Sequence, residues 1–558
     1  MITLPLLALA LWQSPLPADS VRVLDAARDA QARYERDRRW SLPVSFGIGG
    51  LCEVRVGRYC YWYDEGEPSP PAEPRIIGIA RERLLQELSS AAVVIPGDEW
   101  IAGQRVRYLI EAGDSAGATA VARACRGSTW WCAALMGFVA HVSARYGAAD
   151  SAFAIALREM GEERRCQWND IRLLLGSDVH KDYRRLSCAQ RDSANARLTW
   201  LARPRLTDDG KAAWTEVLAR RTYTTMLERA VTHHGTSFGA DLEEIVLRYG
   251  WATAFSRRAR EVTATSPPTV IGHEPKPAYA FLPEKLSGDS GAVWTIAKPD
   301  ARSRFHTPWT PAIRWITDIQ WARFRRGDRS LVVATFVVPW DTLVVTERAS
   351  AALVLSRGPV NDPLASATRE TASGQGALLA AAGPGDTFLA GVEVTDPTTG
   401  VMALGRSLVQ ALPEPTPARG PVVSDILLFR PGEELPGSLP EAVSRAHYGI
   451  KVEKQGRVGL YWEVYGLTQT DSVGVSLAVE EERPGFLKRV GRSLGVVGRP
   501  PPVQLSWEAG EGGAGTRAQV IELDLAPLNP GKYRILLRVT GPGVEGLETS
   551  RAVEIVSP

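Results

Sequence analysis

The chain has no second long apolar run, no cluster of one charge and no familiar metal-ligand spacing, and each absence removes a class of protein. After Leu6–Trp12 nothing comparably apolar recurs, so a bundle of membrane helices is excluded. The 65 Lys and Arg stand against 63 Asp and Glu, a formal net charge of +2, and the arginines are scattered among acids. A nucleic-acid binder carries a basic patch, so no nucleic-acid partner is expected. No C-x-x-C joins the 6 cysteines and no H-E-x-x-H occurs among the 7 histidines, so no common zinc site is written in and no cofactor is expected. What is present is an ordinary globular composition, 44% hydrophobic and 23% charged, over 558 residues. One core cannot serve that length; at roughly 150 residues per domain the chain holds several units.

The apolar start, followed by Pro15, Pro17 and Ala18, reads as an export signal over residues 1–18, cleaved before Asp19. No Cys follows that apolar core, which favours a soluble periplasmic or secreted protein over a lipid-anchored one. The cysteines fit an oxidising compartment because they fall into local pairs: Cys52 with Cys60, Cys125 with Cys132, and Cys166 with Cys188. Six cysteines allow 15 connectivities in general. Helix-hairpin geometry favours the local set, since Cys125 would end one helix and Cys132 begin the next.

Residues 19–94 read as a small α/β element: a charged amphipathic helix over Ser20–Arg39, short strands around Val44–Phe46, Cys52–Val56 and Tyr59–Tyr63, then a Pro-rich stretch. Residues 95–232 read as helical hairpins. Val106, Leu109, Ala118, Ala122 and Cys125 recur 31 residues later as Gly137, Ala140, Ala149, Phe153 and Ala156, and the second copy fits the tetratricopeptide template of small residues at the seam with Tyr and Phe filling it. A third pair is expected over Arg164–Leu175 and Tyr183–Leu201, and a capping helix over Ala212–Val231. Trp130 and Trp131 are adjacent, so both cannot face one helical seam; one is expected at a concave surface, with paired core packing as the alternative.

From about Gln320 onward, period-two runs recur between turn residues: Leu331–Val338, Thr342–Val345, Phe388–Val394, Val422–Phe429, Val458–Val464, Ser472–Val479, Val503–Trp507, Ala518–Leu525 and Tyr533–Val539. The expected fold class is therefore multidomain α+β, a tetratricopeptide-like domain followed by two all-β immunoglobulin-like sandwiches, residues 291–415 and 420–558, parted by the Pro-rich Leu412–Pro421.

Trp130–Leu135 with Arg165–Trp168, Asp241–Trp251 with Ile271–His273 and Phe281–Pro283, and Ser424–Leu428 with Tyr461–Tyr465 together give a family likeness. The chain resembles large, uncharacterised exported bacterial proteins related to the GWxTD-domain proteins, from about Trp100 to its end. Arg248-Tyr249-Gly250 fits their strand block, and Phe238–Asp241 stands where the signature would be. The resemblance implies a junction segment over residues 233–290 and an exported protein, and supplies no activity.

Motifs that suggest chemistry sit in contexts that oppose it. Gly113–Gly117 has the nucleophile-elbow letters but joins two repeat helices, so Ser115 is a turn residue. Gly288–Gly291 resembles a serine-protease loop without a matching His motif. Gly510–Gly515 has dinucleotide-fingerprint letters between two strands and reads as a hairpin loop. Arg326-Gly-Asp328 reads as a β-turn. His233, His234, Asp241 and Glu244, with His273, are the residues that could form a metal or acid/base site; adjacent histidines on one helix diverge, and solvated junction residues are the simpler expectation. The sequence thus points to a non-enzymatic scaffold of the cell envelope with a protein or peptide partner, contacted by Trp130, Trp131, Arg248, Tyr249 and Trp251. The alternative is an envelope hydrolase working near residues 233–244.

Overall fold

The computed structural model describes residues 18–45, 54–57, 59–61, 72–175, 177–201, 212–258, 268–273, 313–338, 348–358, 364–372, 374–383, 385–416, 420–454, 456–468, 473–482, 503–509, 515–541 and 544–557. The expected signal up to residue 17, Cys52, the Gly288–Gly291 motif and the Thr342–Val345 run lie outside these. Among the described residues no helix is long and apolar enough to cross a membrane.

Helix α1 (Ala18–Ser41) presents Leu24, Ala27, Ala30 and Tyr34 at helical spacing to Ile77, Leu84, Leu88 and Ala91 of α2 (Arg75–Val94). Strand Val44–Ser45 then pairs in parallel with Ala254–Arg258, which pairs antiparallel with Val270–His273. The N-terminal element and the segment after the helices therefore close on each other. Val54–Val56 and Tyr59–Tyr61 form a separate hairpin.

The two repeats are helical hairpins, α3 (Glu99–Glu111) with α4 (Ser115–Arg123) and α5 (Thr129–Val142) with α6 (Tyr146–Glu159). Their seams explain the spacing seen in the sequence. A Cβ on Gly137 would lie 2.7 Å from the ring of Phe153, so the close approach of α5 and α6 requires glycine. Asp114 caps α4, its carboxylate accepting from the Gly117 amide at 2.7 Å, which fixes Ser115 as the first residue of a helix. The expected third pair is broken up: α7 (Glu162–Trp168), a single 3-10 turn at Arg172–Leu174, α8 (Ser177–Tyr183) and α9 (Cys188–Leu201). Asp170 accepts from the Arg172 amide at 3.0 Å, and the Asn169 carbonyl is taken by the Tyr183 hydroxyl at 3.0 Å. These local bonds compete with continuation of the helix.

The segment expected as a cap, α10 (Ala212–Leu227), lies at the centre of the helical unit with nearly every side chain buried. It runs along α5 and α3 and touches α6 and α11 (Ala240–Tyr249), so it fills the face that stacked hairpins would otherwise leave as an open groove. Its polar side chains are satisfied there. Glu216 accepts from Arg220 Nε at 2.6 Å and from His141 Nε2 at 2.6 Å, and His141 Nδ1 faces the Thr215 hydroxyl at 2.9 Å.

Among the described residues, the rest of the chain forms four open sheets in layers. The first has the order Ala365–Thr371, Ala349–Ser356, Phe388–Thr395, Met402–Val409, Ile313–Trp315; the second, Gly376–Gly383, Arg329–Val337, Ile319–Arg326. In the third, Val422–Val423, Leu427–Phe429 and Gly515–Asp524 all pair with Arg457–Leu467. The fourth runs Lys451–Glu453, Val544–Val556, Gly531–Gly541, Val473–Glu481, Val503–Ala509. Pairing is antiparallel except where Ile313–Trp315 and Lys451–Glu453 join their sheets.

Both middle sheets are buried on two faces. Val332, Ala334 and Phe336 pack against the first sheet, while Val333 turns to Leu427, Phe429 and Tyr461 of the third. Val458, Leu460, Trp462 and Val464 pack in turn against Val475, Leu477, Ile535 and Leu537 of the fourth. That is why Leu331–Val338 and Val458–Val464 read as almost unbroken apolar runs, which is unusual for antiparallel strands. Helix α12 (Leu439–Ser444) caps the seam between second and third sheets. Gln320 stitches that seam, its amide group donating to the carbonyls of Leu428 (3.2 Å) and His447 (2.8 Å) while its oxygen accepts from the Leu428 amide (2.5 Å). Met402 and Leu404 of the first sheet pack on Ile171, Leu174, Tyr183, Ala213 and Val217, which joins the sheets to the helices. Arg326-Gly-Asp328 is the expected turn, with Gly327 at φ +64. The strands flanking 510–514, Val503–Ala509 and Gly515–Asp524, belong to different sheets and do not pair with each other as the expected hairpin requires; residues 510–514 themselves lie outside the described residues.

Candidate functional site

Two of the three expected disulfides are present. Cys125–Cys132 closes the turn between α4 and α5, and Cys166–Cys188 joins α7 to the start of α9, with Cα atoms 5.6 and 5.5 Å apart. The third pair involves Cys52, outside the described residues. Both bonds flank one cleft at the end of the helical unit, where the N-terminal turns of α3 and α5, helix α7 and the C-terminal end of α10 converge. The cleft has a volume of about 370 Å³ and is lined by four indoles, Trp100, Trp130, Trp131 and Trp168.

The floor is rigid. Trp131 is 2% exposed, donates through Nε1 to the Glu99 carbonyl at 2.9 Å, and packs over Gly103, where a Cβ would lie 3.0 Å from its ring. Glu99 in turn accepts from the Ser128 amide at 2.9 Å and from the Ser128 hydroxyl, so the starts of α3 and α5 are tied together. Trp130 is half-buried, with Trp131 tilted against it at 5.5 Å and Trp168 meeting it edge-on at 5.9 Å. Of the adjacent tryptophans, one is thus core and the other faces the cleft.

The rim is polar. The Arg164 guanidinium lies 4.4 Å above the Trp130 ring, which removes much of its rotational freedom while leaving its N–H edge free. Gln167, one turn along α7 from Arg164, and Glu228 and Arg229, just past the end of α10, complete the rim. Arg229 has φ 58, the left-handed conformation just past the end of α10, where glycine or asparagine is usual. Burial raises the Glu228 carboxyl pKa and the nearby Arg164 guanidinium opposes that shift. Among the described residues neither Arg164 nor Arg229 has a carboxylate within ion-pair distance.

The remaining expected contact residues are elsewhere. Arg248 is buried, bonded to Glu244 at 2.5 Å and lying 4.9 Å over the Tyr249 ring; Tyr249 is packed on Val56 and Ile245. Trp251 stacks on Tyr223 with ring centroids 5.3 Å apart. These three hold α11 to its neighbours.

The histidine cluster does not converge on a metal or acid/base site. Glu244 is engaged by Arg248, Asp241 turns toward Gly57, and His273 Nε2 lies 2.7 Å from the Ser256 hydroxyl. Among the described residues no three metal-ligating side chains gather. The His233 and His234 rings meet tilted, with centroids 4.1 Å apart, beside a cavity of about 50 Å³ lined also by Tyr223, Leu242, Val246 and Trp251, room for a few waters. Burial, with His234, Arg38 and Arg107 nearby, holds His233 well below the usual histidine range, and its Nδ1 has no hydrogen-bond partner.

Sequence reading also missed a buried ionic core. Glu35 accepts from Arg107 Nη2 and from the Tyr108 hydroxyl, each at 2.7 Å, and Arg38 pairs with Glu111 at 2.9 Å. Gln31 donates to the Val231 carbonyl at 2.7 Å and accepts from the Val231 amide at 3.0 Å, which fastens α1 to the segment after α10.

No family model matches the chain, and no curated protein matches it. Among solved structures, red sea bream transglutaminase is similar over 47% of this chain and 37% of that one, at 8% identity and a TM-score of 0.14. A tetra-tandem repeat from the extending region of a large adhesion protein is similar over 43% of this chain and 49% of that one, at 10% identity and a TM-score of 0.14. Each match spans less than half of the solved chain, and superpositions this poor carry no argument about fold or activity.

Proposed function

We propose that the protein is an exported, non-enzymatic binding scaffold of the cell envelope that docks a protein or peptide partner in its tryptophan-lined cleft. One observation carries the reading: four indoles and two guanidiniums, the latter outside ion-pair distance of any carboxylate among the described residues, meet in an open cleft whose frame is covalently braced. Aromatic and Arg side chains dominate interface energetics. Disulfides favour an oxidising compartment, which supports export. The tetratricopeptide and immunoglobulin designations belong to the same proposal, as does kinship with GWxTD-related exported proteins; the helical hairpins and layered antiparallel sheets are compatible with all three.

The reading differs from an open tetratricopeptide groove in its docking position, because α10 occupies that face and leaves only the cleft at its end. The test is affinity capture from an envelope extract on the oxidised full-length protein. A specific partner is expected on the wild type and is lost with Trp130→Ala. A partner retained equally by both removes the cleft from the account.

A further inference from the structure

We infer that the cleft selects a peptide segment carrying an acidic side chain, bound as a carboxylate between Arg164 and Arg229; the inference rests on the cleft being the docking site. Three features of the cleft argue for an acid. The rim carries two guanidiniums outside ion-pair distance of any acid among the described residues and one carboxylate, Glu228, whose pKa burial raises while Arg164 and Arg229 lower it. Glu99, the other acid in the lining, is tied to the floor through Oε1, which accepts from the Ser128 amide and hydroxyl. A carboxylate would meet two forks of N–H donors that no acid among the described residues engages as an ion pair.

The Trp130 face is the second feature. In an aromatic cage built for a cationic ligand the ring face is left open, but here Arg164 already covers it at 4.4 Å. The indole serves to hold the guanidinium in place, and a planar, positioned Arg is suited to bidentate recognition of carboxylate. The third is Arg229 itself. A non-glycine residue in the left-handed region is strained, and Arg229 holds that conformation within the cleft lining. Trp100, half-buried beside these groups, offers an apolar surface to whatever side chain flanks the acid.

The volume limits the occupant. About 370 Å³ lies at the lower end of ligand pockets, enough for one or two side chains and too little for the apolar face of a helix. An extended segment with an acidic anchor fits; a helix-in-groove partner does not.

The test is selection of a displayed random-peptide library on the oxidised full-length protein, with Trp130→Ala as counter-selection, followed by titration of the enriched peptides. Acidic residues should be enriched. Arg164→Gln and Arg229→Gln, both surface substitutions that leave the fold intact by circular dichroism, should each weaken binding about 3–10-fold, and raising salt from 50 to 500 mM should weaken it further. Enriched peptides that need Trp130 but lack an acid, or that ignore both arginine variants, overturn the inference while sparing the docking site. If no peptide depends on Trp130, both fall. Neutral and uronate oligosaccharides run in parallel, and Trp130-dependent binding confined to them would overturn the peptide assignment in favour of a glycan.

Discussion

Gly137 and Gly78 both lie inside helices, and the same substitution to alanine should move stability in opposite directions. In an unobstructed helix, Gly→Ala stabilises by about 0.8–1 kcal/mol because the glycine backbone has more freedom to lose. At Gly78 of α2 nothing lies within 4 Å of the added Cβ, so the full gain is expected. At Gly137 the Cβ would lie 2.7 Å from two ring carbons of Phe153 and 2.9 Å from a third. Phe153 is 1% exposed and packed in the same core, so the ring has nowhere to swing. Overpacking of this kind costs about 1–3 kcal/mol, which outweighs the propensity gain and leaves a net loss of up to about 2 kcal/mol. The two variants should therefore differ by about 1–3 kcal/mol, measured as the shift of the helical transition in differential scanning calorimetry of the oxidised protein. A Gly137→Ala protein at least as stable as Gly78→Ala would refute the packing assigned to the α5–α6 seam.

Three further outcomes follow from the structure. Glu35→Ala takes the carboxylate from Arg107 Nη2 and leaves that buried guanidinium only Glu111, 3.1 Å from its Nε, and should cost about 3 kcal/mol in a denaturant titration followed by circular dichroism; a loss under 1 kcal/mol would mean that the network is wetter than described. The Glu216 carboxyl is held at about 2 against an ordinary 4.5, burial opposing the shift while Arg220 and His141 drive it. Its folded value being the lower one, its contribution of about 3 kcal/mol is complete above about pH 4.5 and is lost as pH falls toward 2. Glu216→Gln should flatten the stability profile across that window, and an unchanged profile would count against the assignment. Cys166→Ser with Cys188→Ser opens a loop with sequence separation 22, for which chain entropy predicts a loss of about 3 kcal/mol; an unshifted thermal transition would show that α7 and α9 are held without the bond.

Legibility followed periodicity. The α3–α6 hairpins were readable because Gly137, Ala149 and Phe153 mark a close seam, and the Cys125–Cys132 and Cys166–Cys188 pairs because each straddles a turn or helix boundary. Strands with one apolar parity, such as Val473–Glu481 and Gly531–Gly541, announced themselves. Ala349–Ser356 and Gly376–Gly383 did not, since their alanines and glycines have weak strand preference and gain their place from burial against neighbours. The layering of four sheets was written in Leu331–Val338 and Val458–Val464, whose apolar residues occupy both parities, but short apolar runs carry no statement of what covers each face. Helix α10 was legible as a helix but not as the centre of its unit, because Thr215, Glu216 and Arg220 suggest a surface, and only tertiary partners make them fit for a core. At the cleft, the Trp130-Trp131 pair could be singled out from the sequence. Arg164 and Arg229 could not, because their roles arise from an indole face and a helix end brought together from distant parts of the chain.

The claim that a partner docks at the end of the helical unit is tested most directly by site-specific photocrosslinking in the intact cell envelope. A photoreactive residue at Gln167, on the cleft rim, should capture one discrete partner, and the product should disappear when Arg164→Gln and Arg229→Gln are added. The same residue at Ile155, exposed on α6 outside the cleft, should capture none. Equal capture from both positions, or capture at Gln167 that survives loss of the two arginines, would contradict the account.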